Sequence, residues 1–274
     1  MFFDLLTAVF LGSLEGVTEW LPVSSTGHLI LLEGVLATRW RPCFLELFRV
    51  VIQLGAMLAV LLLFWGRLCP FGKGKEPAAR RRCLALWGRV LIAALPAAVI
   101  GFLLDDLLDT YLYRPPVVAG ALVLYGVLFI LIERCRKRTP SVGQAEDISV
   151  KTALLVGSFQ VLSLVPGTSR SGATVMGGLL AGLSRPAAAE FSFFLGIPTM
   201  LGAGLLKGVK LFAQGETLYG QEVALLLVGC ACAFLVSVVT IRFLMGLVRR
   251  HSFAGFGVYR ILLGGAVLAL WIFQ

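Results

Sequence analysis

The chain has 274 residues, 58% of them hydrophobic and 14% charged, with a formal net charge of +9. Soluble domains carry about a quarter charged residues, so this composition excludes a soluble globular domain and implies a chain whose solvent is mostly lipid. Nucleic acid is not an expected partner, because the basic residues cluster between apolar runs with no aromatic or groove-reading motif beside them.

The N-terminal run M-F-F-D-L-L-T-A-V-F lacks a basic n-region and a small-residue cleavage site, so it is expected to stay in the mature protein. Crossing a hydrocarbon core of roughly 30 Å takes about 20 apolar residues. An apolar segment at 2–35 comes first, interrupted by L-P-V-S-S-T-G, and spans are predicted at 44–65, 84–104 and 117–132. A second interrupted segment, 152–183, carries V-P-G-T-S-R-S-G, and spans at 187–212, 223–244 and 253–273 complete six crossings. Cys43, Cys69, Cys83, Cys135, Cys230 and Cys232 are scattered without metal-type spacing and are expected to be packing residues.

Proline removes a helix hydrogen bond and glycine loosens the backbone, so each interruption is predicted to leave two half-length helices joined by a turn. Irregular backbone at membrane depth needs protein or a watery cavity around it, which makes each pair a re-entrant hairpin with its turn facing inward. Cytoplasmic loops are rich in Lys and Arg. The loop after the first span holds Arg67, Lys73, Lys75, Arg80, Arg81, Arg82 and Arg89; later groups are Arg134, Arg136, Lys137, Arg138 and Lys151, then Arg249 and Arg250. Asp105, Asp106 and Asp109 are expected in an intervening outer loop, while Arg39, Arg41, Lys207 and Lys210 run against the bias. With the basic loops cytoplasmic, the first hairpin enters from outside and the second from the cytoplasm, so that their tips meet.

An offset of 145 positions matches Gly12 with Gly157, Ser13 with Ser158, Glu15 with Gln160, Thr18 with Ser163, Ser24 with Ser169, Thr26 with Ser171 and Gly27 with Gly172. Two halves with three spans each have opposite topology, the plan of inverted-repeat transporters. The expected fold is therefore an all-α integral membrane protein, one membrane domain over 1–274, with six transmembrane helices and two re-entrant hairpins. Its repeat halves, about 1–133 and 152–274, are joined by a basic cytoplasmic loop.

Glu15 and Glu19 are four apart, on one helix face, where like charges repel and burial in lipid is costly. A divalent cation, Mg²⁺ or Ca²⁺, relieves both, since these ions bind carboxylates together with phosphate oxygens. Ser24, Ser25, Thr26 and Gly27 follow Pro22 and start the second half-helix, where hydroxyls cap and amides bind anions. Ser24 and Thr26 are candidate phosphate ligands, and Ser25 is a candidate nucleophile with His28 the nearby base. In the second turn Arg170 stands among Ser169, Ser171, Thr174 and glycines, a set suited to phosphate oxygens. An ion pair of Arg170 with Glu15, Glu19 or Glu190 is the alternative. Glu46 and Glu190 open corresponding spans and either mark the interface or join the polar centre. His251, beside Arg249 and Arg250, reads as a solvated loop residue. Together the acids, arginine, histidine and hydroxyls suit phosphoryl transfer, and their place in membrane segments favours a lipid-linked phosphate. The rival is a secondary transporter or lipid flippase.

The stretches E-G-V-T-E-W-L-P-V-S-S-T-G-H and P-G-T-S-R-S-G-A-T resemble the two signature motifs of the bacterial undecaprenyl-diphosphate phosphatase family, also called the bacitracin-resistance family. The resemblance continues through F-R-V-V-I-Q-L-G-A and E-F-S-F-F-L-G-I-P and covers nearly the whole chain. It implies a multi-pass enzyme of the bacterial cytoplasmic (inner) membrane that hydrolyses undecaprenyl diphosphate to the monophosphate and inorganic phosphate. That reaction recycles the carrier lipid for peptidoglycan synthesis and removes the target of bacitracin. It also implies roles by motif position: Glu15 and Glu19 as metal-associated acids, Ser25 and His28 as the reactive pair, Arg170 as phosphate clamp, and Ser169, Ser171 and Thr174 lining the pocket. Attack by Ser25, by His28 or by activated water all fit. The implied partners are a polyprenyl diphosphate and the bilayer, with a homodimer as the assembly considered and an active site opening to the extracytoplasmic side.

Overall fold

Proline and a left-handed serine shape both interruptions of the helical pattern. The computed structural model describes residues 2–36, 40–72, 75–112, 114–136 and 139–273. In the first broken segment α1 (Phe2–Thr18) ends ahead of Pro22, and α2 (Ser25–Leu36) starts directly after Ser24. There follow α3 (Pro42–Leu63), the single turn α4 (Trp65–Leu68), α5 (Pro77–Leu112) and α6 (Pro115–Cys135). The second broken segment gives α7 (Val150–Gln160), a 3-10 turn (Val161–Leu164) and α8 (Arg170–Leu180), succeeded by α9 (Arg185–Ala213), α10 (Gly220–Val248) and α11 (Ala254–Phe273). Among the described residues the only extended pairing is one bridge, Val142 with Leu183.

Six helices are long and apolar enough to cross a bilayer: Pro42–Leu63, Pro77–Leu104, Pro115–Cys135, Arg185–Lys210, Gly220–Val248 and Ala254–Phe273. Phe102, Leu205, Phe243 and Leu262 point outward from four of them, a distribution of large apolar groups that water does not tolerate on this scale. The chain is a multi-pass all-α membrane protein.

One boundary departs from the sequence reading. The helix α5 runs unbroken to Leu112, so Asp105, Asp106 and Asp109 lie on helical backbone, and Arg80, Arg81, Arg82 and Arg89 belong to its opening turns. Three acids among leucines do not stop a helix. Termination comes at Arg114, held extended (φ −125°, ψ 138°) ahead of Pro115, because a residue before proline is disfavoured in the α region. Of the basic residues noted above, Arg39, Lys73, Lys137 and Arg138 lie outside the described residues.

The matched positions of the two broken segments behave alike. Gly12 on α1 meets α10, where an added Cβ would lie 2.3 Å from Gly229 O, and Gly157 on α7 meets α5, where it would lie 2.0 Å from Ala93 O. Each half-helix therefore packs on a span of the other half, with close backbone approach through small residues. Ser24 (φ 72°) and Ser169 (φ 70°) are the two non-glycine residues with positive φ among the described residues. Each turns its hydroxyl onto the helix it precedes, accepting from Gly27 N–H at 3.4 Å and from Gly172 N–H at 3.2 Å. Left-handed backbone at a non-glycine residue costs about 1–3 kcal/mol and concentrates at functional sites.

Polar clusters mark the two ends of the bundle. At one end Arg67 joins Glu146 and reaches Glu190 at 2.9 Å, and Arg185 binds Glu133 at 2.7 Å. Burial pushes the Glu146 carboxyl up, but the Arg67 guanidinium outweighs it and holds the group below its ordinary range. At the other end Arg41 binds Glu216 and Glu222, each at 2.8 Å. Glu46 stands 3.8 Å from Lys207 Nζ with its side chain 65% exposed, so Glu46 and Glu190 both sit in peripheral ion pairs.

Candidate active site

The two turns touch, and the residues that join them come from both motifs. Arg170 is the first residue of α8, and its side chain crosses to the end of α1: Nε and Nη2 donate to Glu19 Oε1 at 3.1 and 2.8 Å. Nη1 donates to Ser192 O on α9 at 2.8 Å, and the guanidinium lies 5.7 Å from the Trp20 ring centroid. Ser171 Oγ donates to Glu19 O at 2.9 Å, and Thr174 Oγ1 lies 2.6 Å from Ser192 Oγ. Gly196 leaves the room: a Cβ there would lie 2.8 Å from the guanidinium carbon and both Nη atoms of Arg170.

Glu15, one helical turn before Glu19, is buried at 2% exposure beside Glu19, Gln53 and Arg170. Its Oε1 has no hydrogen-bond partner, and Trp20 Nε1, Thr168 Oγ1 and Arg260 Nε, all on or against the two turns, share that condition. An unsatisfied buried polar atom costs about 1–3 kcal/mol, so four in one place describe a site shaped for polar contacts beyond those the fold makes. Glu15 and Glu19 fit a hard divalent cation as a two-carboxylate set, the kind Mg²⁺ uses when phosphate oxygens complete its shell. Among the described residues no third His, Cys, Asp or Glu joins them, so the remaining oxygens would come from substrate and water.

His28 faces the other way from its turn. Nδ1 donates to Ser24 O at 2.7 Å, since a carbonyl can only accept, which leaves Nε2 of a neutral ring to accept from Tyr259 Oη, also at 2.7 Å. The two rings stack at 5.7 Å with 15° between planes. With both nitrogens engaged, His28 makes no hydrogen bond to Ser25, the first residue of α2, whose hydroxyl and that of Thr26 are half-buried. His28 lines a cavity of ≈ 690 Å³ with Val17, Leu21, Phe256, Tyr259 and His251. The exposed His251 is thus a wall of the space that reaches His28. The structure gathers Glu15, Glu19, Arg170, Ser171 and Thr174 directly, uses Ser24 and Ser169 as helix caps, and sets His28 on the far side of the first turn.

The bacitracin resistance protein BacA family model matches residues 8–266. The chain belongs to this family. An undecaprenyl-diphosphatase of Enterococcus faecalis is 50% identical over 98% of this chain and 98% of its own length. One from Streptococcus thermophilus is 52% identical over 97% of this chain and 92% of its own, and one from Acetivibrio thermocellus 48% identical over 98% of each.

In this BacA-family chain four further residues contribute to the site's geometry: Gln53, Ser192, Tyr259 and Arg260. Arg260 carried a readable signal, a single arginine in the apolar run V-Y-R-I-L-L, since an ionisable residue within a span marks function or a buried partner. Gln53 and Ser192 lie in F-R-V-V-I-Q-L-G-A and E-F-S-F-F-L-G-I-P, where a single uncharged polar residue among apolar neighbours does not by itself mark a site. Tyr259 becomes visible as a partner only through the α2–α11 contact.

Proposed function

We propose that this chain is a membrane phosphatase that hydrolyses undecaprenyl diphosphate to undecaprenyl phosphate and inorganic phosphate, recycling the carrier lipid and conferring bacitracin resistance. The observation that carries the reading is the Arg170 fork held on Glu19 across the two turns. A guanidinium placed on a carboxylate in this way can exchange it for a pair of phosphate oxygens, which its fork also binds. Relatives about half identical over nearly the full chain bear the name undecaprenyl-diphosphatase.

On this reading the terminal phosphate enters between the turns. Arg170, Ser171, Thr174 and the first amides of α8 hold its oxygens, with Ser24, Thr26 and Ser169 on the rim. A divalent cation held by Glu15 and Glu19 supplies positive charge to the diphosphate oxygens when bound. Ser25 Oγ attacks the terminal phosphorus: an O–P bond forms, the bridging P–O bond breaks, and the electron pair leaves with undecaprenyl phosphate. His28 accepts the serine proton, for which Nε2 must exchange its Tyr259 partner. Water then cleaves the phosphoserine, releasing phosphate and regenerating the hydroxyl. The apolar wall of the His28 cavity suits isoprenoid units.

The inverted repeat, the two hairpins as re-entrant elements, a location in the inner membrane and an extracytoplasmic opening belong to the same proposal. The shared backbone of Ser24 and Ser169 and the reciprocal packing at Gly12 and Gly157 support the repeat. The copies differ where chemistry is concerned. Gln160 stands where the first half has Glu15 and is hydrogen-bonded to Thr199 at 3.2 Å, so only one half carries the acid pair, which argues against a symmetric carrier. Purified protein given a polyprenyl diphosphate is expected to release phosphate, with chelator abolishing it. Proteoliposomes that move the labelled lipid without releasing phosphate would transfer the assignment to a flippase.

A further inference from the structure

Arg260, in the second turn of the apolar helix α11, is fully buried. Its Nη1 donates to Pro22 O at 3.2 Å and its Nη2 to Gly167 O at 2.8 Å, with the Tyr125 ring centroid 5.9 Å away. Among the described residues no carboxylate pairs with it. An arginine inside a membrane segment ordinarily faces an anion or a watery cavity; here the two terminal nitrogens of one rigid fork hold two backbone carbonyls, one from each broken turn. Those carbonyls occupy corresponding places. Pro22 precedes the left-handed Ser24 by two residues, and Gly167 precedes the left-handed Ser169 by two.

We infer that Arg260 is a positioning residue that fixes the register of the two turns, so that Glu19, which leads into the first turn, keeps its place against Arg170 and Ser171, which follow Gly167 in the second. The fork geometry makes this specific to arginine. Lysine offers one nitrogen at the end of a flexible stem and cannot hold two carbonyls at a fixed separation. The catalytic consequence rests on the phosphatase reading above, whereas the bridge itself does not.

The test uses the full-length protein in detergent with Arg260→Lys and Arg260→Met, read by amide hydrogen exchange and by turnover per folded molecule. In Arg260→Lys, exchange at 19–25 and at 165–170 is expected to rise together by about tenfold or more, with α3 and α10 unchanged. Its kcat is expected to fall about tenfold to a hundredfold, as misplacement of reacting groups by an ångström does, while KM stays within about threefold. Arg260→Met is expected to be no better, and if it is not recovered folded the lysine variant decides alone. Wild-type exchange at either turn in Arg260→Lys, or a raised KM with unchanged kcat, overturns the inference. Should the wild-type protein release no phosphate, the phosphatase reading falls and the exchange experiment still decides the role of Arg260.

Discussion

Arg170 shows how one side chain can hold a site together and leave it open to exchange. Its three donors reach one carboxylate oxygen and one carbonyl, and a phosphate that takes the guanidinium would leave the buried Glu19 carboxylate to the divalent cation proposed above. Replacement by lysine keeps the charge and loses the fork, so Arg170→Lys is expected to lower phosphate release about 10²–10³-fold, the usual loss for one transition-state donor, with folding unchanged. Wild-type rates in that variant would remove Arg170 from the site. Gly196→Ala tests the same group from behind. The added methyl would lie 2.8 Å from the guanidinium, so about a tenfold lower rate is expected from displacement alone, in a protein that still elutes as a single species from a sizing column. The motif sequences were enough to put Glu15, Glu19 and Arg170 on one short roll of candidates. They were not enough to separate His28 from Ser25, because residues three apart on a helix can bond to each other or to neighbours, and here Ser24 O and Tyr259 take both nitrogens.

At the level of elements the apolar pattern fixed five of the six spanning helices to within a few residues, because each lies in lipid and its hydropathy is its environment. It erred at α5, where three aspartates were read as a loop, since charge suggests water while helix termination needs backbone chemistry, supplied only at Arg114–Pro115. What no pattern reveals is which helices touch. Gly12 and Gly157 are the contact points, and Gly157→Leu is expected to destabilise the α5–α7 packing by about 1–3 kcal/mol, as overpacking does, seen as a lower unfolding temperature in detergent. Gly88→Ala, with nothing within 4 Å of the added carbon, is the control and is expected to hold or raise it, alanine being favoured in helices by about 1 kcal/mol. The clamp of Arg67 on Glu146 adds a pH term. Folding holds the Glu146 carboxyl below its ordinary 4.5, so its stabilisation is complete above that value and is lost as pH falls through the lower folded value. The unfolding temperature is therefore expected to drop on acidification below about pH 4.5, and Glu146→Gln to lose that part of the acid sensitivity; an unchanged acid limb in the variant would assign it elsewhere.

The molecule as a whole has a basic end and a mixed end, and the proposed topology, resting on the positive-inside tendency, puts the basic end in the cytoplasm. Arg67, Arg136, Arg249 and Arg250 gather at one end, while Asp4, Trp40 and the Arg41–Glu216–Glu222 cluster stand at the other. The helix α10 connects the two: its 29 residues extend about 43 Å at 1.5 Å per residue, longer than the hydrocarbon core of roughly 30 Å, so its ends emerge on opposite faces. The cavity at His28 is rimmed by Ser252 at the basic end, whereas α1 begins and α2 ends toward the mixed end. With the six native cysteines replaced by serine, Gln221→Cys is expected to react with an impermeant maleimide from outside intact cells, and Ser252→Cys only in inverted vesicles. Reversed labelling would put the basic end outside and move the proposed opening with it. Labelling of both positions from one face would contradict a crossing α10 and, with it, the six-span arrangement on which the meeting of the two turns depends.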